Sequence, residues 1–195
     1  MKEQFEWVHS WCDEAPSSDL PRVLLVGDSI TLGYQEKVRQ KLKGVCYVDF
    51  ISTSYAIDTK IYNTIVSSFF ADSDYALIHF NHGLHGQHIS KRTYKSRLKK
   101  LLEKAGDKCK IVLATSTIVY CEGNTRLDRT WVKRLKERND SVNELASEFG
   151  YGVDDLYSVS VSMSTDKRAL DGIHYTEEGY EDCACAVAEC IRNEI

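Results

Sequence analysis

The feature that most constrains this chain is a regular alternation of short apolar runs with helical patterning. Residues 22–27 (RVLLVG) are continuous and branched-rich, the pattern of a strand buried on both faces. Similar runs follow at 46–51, 75–80, 110–115 and 152–156. Between them the spacing predicts helices over about 28–43, 59–70, 90–104 and 131–149. A last helix spans 176–192, with Thr176 as its N-cap. Elements alternating at these lengths predict a doubly wound, mostly parallel, five-stranded sheet. A length of 195 residues suits one such α/β domain, with residues 1–20 as an N-terminal extension. No internal repeat or low-complexity tract divides it.

That topology says where chemistry belongs. In open α/β sheets the ligand crevice lies outside the carboxyl ends of the strands. The segments to inspect are therefore Gly27-Asp28-Ser29, those following Ile51 and Phe80, and the loops after Thr115 and Leu156.

Composition narrows the function classes. Net charge is −4, so the surface offers no long-range attraction for nucleic acid or anionic lipid. The basic stretch at 91–100 reads as the solvated face of a helix rather than a nucleic-acid patch. No apolar run reaches transmembrane length, and residues 1–21 lack the apolar core of a secretion signal. The seven cysteines are odd in number and scattered, which argues against a disulfide framework. Cys183, Cys185 and Cys190 fall in the last helix, where small buried thiols are common; a metal site there would need a second cluster. Reduced thiols and the missing signal lead us to expect a cytoplasmic protein.

Two fragments carry chemistry. Val26-Gly27-Asp28-Ser29-Ile30-Thr31 lies where the first strand becomes a helix. A serine there stands at the crevice mouth, with its N–H at the positive end of the helix. The plainer reading is that Asp28 or Ser29 only caps the helix. The second fragment, Leu170-Asp171-Gly172-Ile173-His174-Tyr175-Thr176, precedes the last helix. With a tight turn at Gly172, Asp171 can orient His174, and His174 can take the Ser29 proton. The plainer reading here is a surface loop with a capping Asp.

Taken together, GDSIT after the first strand and DGIHYTEEGY before the last helix resemble the SGNH/GDSL hydrolase superfamily. The likeness runs from about Pro21 to Ile195. It implies a flavodoxin-like three-layer α/β/α sandwich and no metal or organic cofactor. It also implies a triad of Ser29 as nucleophile, His174 as general base and Asp171 as orienting acid. The family's oxyanion hole takes the nucleophile's own N–H, an N–H after the second strand, and an Asn side chain in a GxND stretch after the third. Here the donors become Ser29, Ser52 (or Ser54) and Asn81, with His85 the alternative to Asn81. The chain departs from the family where His79-Phe80-Asn81-His82-Gly83-Leu84-His85-Gly86 replaces GxND; this stretch is similar to one found in a subgroup of the superfamily.

His79, His82, His85 and His88 recur every three residues, which raises a zinc site as a rival idea. Gly83 and Gly86 argue against one helix presenting them together, and we take Asp28, His82 and His85 as substrate-binding instead. Tyr55, Tyr120, Trp131 and Tyr175 are candidate stacking surfaces. The expected activity is hydrolysis of a short-chain ester, acetyl by preference, on a small molecule or oligosaccharide. An acyltransferase with the same triad, or a binding module that lost its oxyanion hole, remain open. The oligomeric state is not legible.

Overall fold

The computed structural model describes residues 2–106 and 109–195. In chain order its elements are β1 (Val8–Trp11), β2 (Arg22–Gly27), α1 (Ser29–Lys41), β3 (Tyr47–Thr53), α2 (Lys60–Asp72), β4 (Leu77–Asn81), α3 (Lys91–Ala105), β5 (Lys110–Ala114), α4 (Arg129–Phe149), β6 (Gly152–Asp154), α5 (Leu156–Ser162) and α6 (Glu177–Glu194). They form three layers. The sheet order is β1-β3-β2-β4-β5-β6. Strands β2 to β6 pair in parallel, with Gly27 beside Ser52 on one side and Asn81 on the other.

Six strands replace the expected five. The addition is β1, which runs antiparallel to β3 from Val8↔Thr53 to Trp11↔Phe50. All four of its residues are exposed, so burial left no apolar pattern to read; backbone pairing with β3, joined by the Arg39 guanidinium over the Trp11 ring, holds it on the sheet edge. Part of the N-terminal extension is thus built into the fold.

Successive strand residues face opposite layers. Val23, Leu25, Val48 and Leu77 pack with Tyr34, Val38, Val187 and Ile191 of α1 and α6. Leu24, Val26, Ile51, Ile78 and Phe80 pack with Tyr62, Tyr94, Leu98 and Leu145 of α2, α3 and α4. Asp28, Thr59, Ser90, Asp128, Asp155 and Thr176 accept first-turn N–H bonds as N-caps; each such cap is worth about 1 kcal/mol. Lys91, Lys95 and Lys99 pair with Glu144 and Glu148 across α3 and α4, so half of the cations in the basic stretch form a salt-bridged outer face. The cysteines are free thiols, and burial pushes those of Cys183 and Cys190 up to about 12. No helix among the described residues is long and apolar enough to cross a membrane.

Candidate active site

The fold brings the two distant fragments together at the carboxyl edge of the sheet. Ser29 is the first residue of α1, and its Oγ lies 2.8 Å from His174 Nε2. The other ring nitrogen, Nδ1, lies 2.6 Å from Asp171 Oδ2. A carboxylate accepts only, so Nδ1 carries the proton and Nε2 is left to receive one from the hydroxyl. Asp171 Oδ1 also accepts the N–H groups of Ile173 and His174. Partial burial works to raise the Asp171 carboxyl, but these bonds and the imidazole hold it below its ordinary value.

The loop carrying Asp171 and His174 is set by local geometry. Gly172 has φ of 77°, a left-handed conformation that side chains resist. A Cβ there would also lie 2.3 Å from the Tyr120 carbonyl oxygen. The Tyr120 N–H donates to Gly172 O, and the Gly123 N–H donates to Leu170 O. The loop is thereby tied to the segment after β5.

Asp28 departs from the role expected of it. It is fully buried, not a substrate contact. Its Oδ1 accepts from Ile30 N–H, and its Oδ2 from Gly83 and Leu84 N–H at 3.2 Å each. The capping reading was correct but incomplete, because one carboxylate also clamps the loop after β4. Gly27 beside it has no room for a side chain, since a Cβ would lie 1.9 Å from Thr31 Oγ1 and 2.6 Å from Asn81 O.

Two expected oxyanion donors are also displaced. Asn81 is the last residue of β4, and the pleat sends its side chain to the α1–α6 face, toward the buried Tyr34 hydroxyl. Ser52 lies inside β3, between His9 of β1 and Gly27 of β2; its backbone belongs to the sheet and its Oγ is buried. Neither lines the cavity that holds Ser29.

His82 and His85 lie near each other, their rings 5.9 Å apart, but each of the four histidines sits in a different setting. His79 is buried and bonds Asp154 through Nε2 at 2.9 Å. His82 is buried rather than in contact with substrate. Its ring lies 4.6 Å from that of Tyr62, and neither nitrogen has a hydrogen-bond partner. His88 bonds Asp58, and His85 bonds Glu3 through Nδ1 at 3.0 Å. Among the described residues no three His, Cys, Asp or Glu side chains gather as a metal-binding group.

Burial pushes the His82 imidazole down to about 4, against the pull of the nearby Asp28 carboxylate. The folded protein thus refuses a proton that the unfolded chain accepts below about 6.5. Stability is complete above that pH and declines as pH falls toward 4, by up to about 1.4 kcal/mol per unit. Phe fills the same space and takes no proton. In thermal melts at pH 7.5 and 5, His82→Phe should lose less than the wild type does, by about 4 °C or more. Equal losses would assign the acid sensitivity elsewhere.

A cavity of about 570 Å³ opens over Ser29 and His174. Leu84, Trp131 and Ile173 give it an apolar wall, and His85, Gln87 and Arg134 a polar one. Lys2, Glu3 and Gln4 close it from the N-terminal segment. Of the four aromatic candidates only Trp131 reaches it. Tyr175 is buried in the core, Tyr120 packs on Arg168, and Tyr55 lies near Lys2 outside the lining. The contributions of Arg134 and residues 2–4 carry no sequence motif.

No protein-family model and no curated protein sequence matches the chain. Solved structures do match. An acetyl xylan esterase from Geobacillus stearothermophilus superposes with a TM-score of 0.74 at 16% identity, over 90% of this chain and 96% of that one. The catalytic domain of a peptidoglycan O-acetyltransferase from Streptococcus pneumoniae gives 0.69 at 16% identity, over 90% and 94%. A GDSL-like lipase from Bacteroides thetaiotaomicron gives 0.66 at 16% identity, over 89% of each chain. With these neighbours and its strand order, the chain has the three-layer α/β/α fold of the GDSL/SGNH hydrolases.

Proposed function

We propose that the protein is a serine esterase that removes a short acyl group, acetyl by preference, from a polar alcohol such as a sugar. The observation that carries this reading is the continuous relay from Ser29 Oγ through His174 to Asp171, at 2.8 and 2.6 Å, opening on a cavity. Ser29 Oγ attacks the ester carbonyl as His174 Nε2 takes its proton. The tetrahedral intermediate collapses, the C–O bond to the alcohol breaks, and His174 returns the proton to the departing oxygen. Water then attacks the acyl-enzyme by the same steps in reverse order.

The Ser29 N–H, at the positive end of α1, is the first oxyanion donor. With Asn81 turned away, His85 takes over as the side-chain candidate. Its Nδ1–H is committed to the Glu3 carboxylate. Its Nε2 is the remaining ring nitrogen, a donor only when the ring carries both protons. Lys2, Glu3, His85, Gln87 and Arg134 offer a polar alcohol its partners, and Leu84, Trp131 and Ile173 leave apolar surface for a small acyl group. Across a p-nitrophenyl ester series kcat/KM should fall from acetyl to octanoyl; a preference for octanoyl would overturn the short-acyl assignment.

A fluorophosphonate probe tests the reading as a whole. Intact mass and peptide mapping should show one adduct, on Ser29. A folded protein that stays unlabelled would favour a binding module without catalysis. The O-acetyltransferase on the same fold supports a second reading, in which another alcohol replaces water at the acyl-enzyme. Transfer to added sugars faster than hydrolysis would select it.

A further inference from the structure

Beside the Ser29 cavity lies a second one of about 650 Å³, and the two share Gln87, His88 and Arg134. Its walls are the first turns of α3 and α4 and the loop before α3. They carry five cations, Lys91, Arg92, Arg129, Lys133 and Arg134, against one carboxylate, Glu137. In a chain of net charge −4 such a concentration is not background. Lys91 is satisfied by Asp140 and Glu144, and Lys133 approaches Glu137 at 3.9 Å. Arg92, Arg129 and Arg134 pair with no carboxylate among the described residues.

Three further observations give this trough its character. The outer face of the same two helices pairs Lys91, Lys95 and Lys99 with Glu144 and Glu148, whereas the three arginines that line the trough have no such partner among the described residues. The positive ends of the α3 and α4 dipoles point at the same place, offset in part by Asp128, which caps α4. Beneath the trough Arg138 is buried, stacked 4.1 Å from the Tyr94 ring and donating to Gly86 O. Arginine forks match planar or tetrahedral oxyanions better than a lysine point charge does.

We propose that the ester handled at Ser29 is carried on a chain bearing repeated oxyanions, carboxylate or phosphate, which lies along this trough with Arg134 at the junction. The inference rests on the esterase reading and narrows its alcohol. In this arrangement Arg134 contacts the first charged unit beyond the scissile ester, and Arg129 and Arg92 contact later ones.

Three deacetylation substrates separate the outcomes: acetylated xylan (neutral), acetylated polygalacturonate (carboxylate) and acetylated poly(glycerol phosphate). The wild type should favour one or both anionic substrates over xylan by about tenfold in kcat/KM. Which one it favours identifies the oxyanion. The triple substitution Arg92→Gln, Arg129→Gln, Arg134→Gln should lower that anionic-to-neutral ratio by about tenfold. Raising salt from about 10 mM to about 150 mM should lower it in the wild type and not in the variant, because the Debye length shrinks from about 30 Å to about 8 Å. A ratio near one that moves with neither change overturns the proposal and leaves the esterase intact. If no ester is turned over at all, titration of unacetylated polygalacturonate and poly(glycerol phosphate) into the wild type and the triple variant still decides whether the trough binds. Equal affinities, or none, would sink it.

Discussion

Replacing Ser29 with Ala should lower kcat on p-nitrophenyl acetate by about 10⁴-fold or more and leave thermal stability nearly unchanged. The substitution removes one oxygen from a half-buried position at the start of α1. The Asp28 cap on Ile30 N–H is a separate contact and survives. Among the described residues that line the cavity, only Ser29 offers a hydroxyl or thiol. Removal of Asp171 should cost less, by about one to two orders of magnitude, because the carboxylate orients and compensates charge but forms no bond to substrate. It is also about half exposed, at 49%, which weakens its field on the ring. Steady-state kinetics on the purified variants, with circular dichroism to show that each is folded, checks both. Equal rates for the wild type and Ser29→Ala would remove Ser29 from the chemistry.

The largest effect on stability should come from Asp28, one residue away. Asp28→Ala leaves the N–H groups of Ile30, Gly83 and Leu84 without their acceptor in a place that water does not reach. A lost cap costs about 1 kcal/mol, and each buried orphan amide about 1–3 kcal/mol. A loss of about 3–5 kcal/mol is expected, or roughly 8–15 °C in Tm for a chain of this size. Asp28→Asn keeps the shape and one acceptor oxygen, and should lose about half as much. Activity should fall with stability even in protein that remains folded, because Ser29 and the Leu84–His85 turn lose their common anchor. Denaturant titration at pH 7 gives the comparison. A loss below about 1 kcal/mol for the Ala variant would mean that the clamp is not what holds the loop.

The parts of this architecture that were legible in the sequence are those where one physical rule dominates. Strands buried on both faces must be continuously apolar, and β2 to β5 were read within a few residues. The contact of Ser29 with His174 and Asp171 was legible because the two fragments sit where the topology puts a crevice. Other parts obey competing rules. The chain at 156–162 reads Leu-Tyr-Ser-Val-Ser-Val-Ser, an alternation suited to a strand, yet it forms α5. Asp155 bonds Ser158 N–H there and starts the helix, overriding the period. The burial of Asp28, Asn81 and His82 depends on which way side chains point as the chain leaves a strand. A single register step reverses that direction, and no residue type announces it. Arg134 looks like any charge on an amphipathic helix until the adjacent loop is placed against it.

One feature of the N-terminal segment bears on handling. Lys2, Glu3 and Gln4 form part of the cavity rim, and Glu3 holds His85. The opposite end of the polypeptide closes α6 near Lys110 and Gly152, where strands begin rather than end. An affinity tag fused ahead of residue 2 would crowd the mouth of the Ser29 cavity and disturb the Glu3–His85 contact. The same tag appended after Ile195 would hang from the far side of the molecule, and that is where purification handles and surface-immobilisation linkers belong.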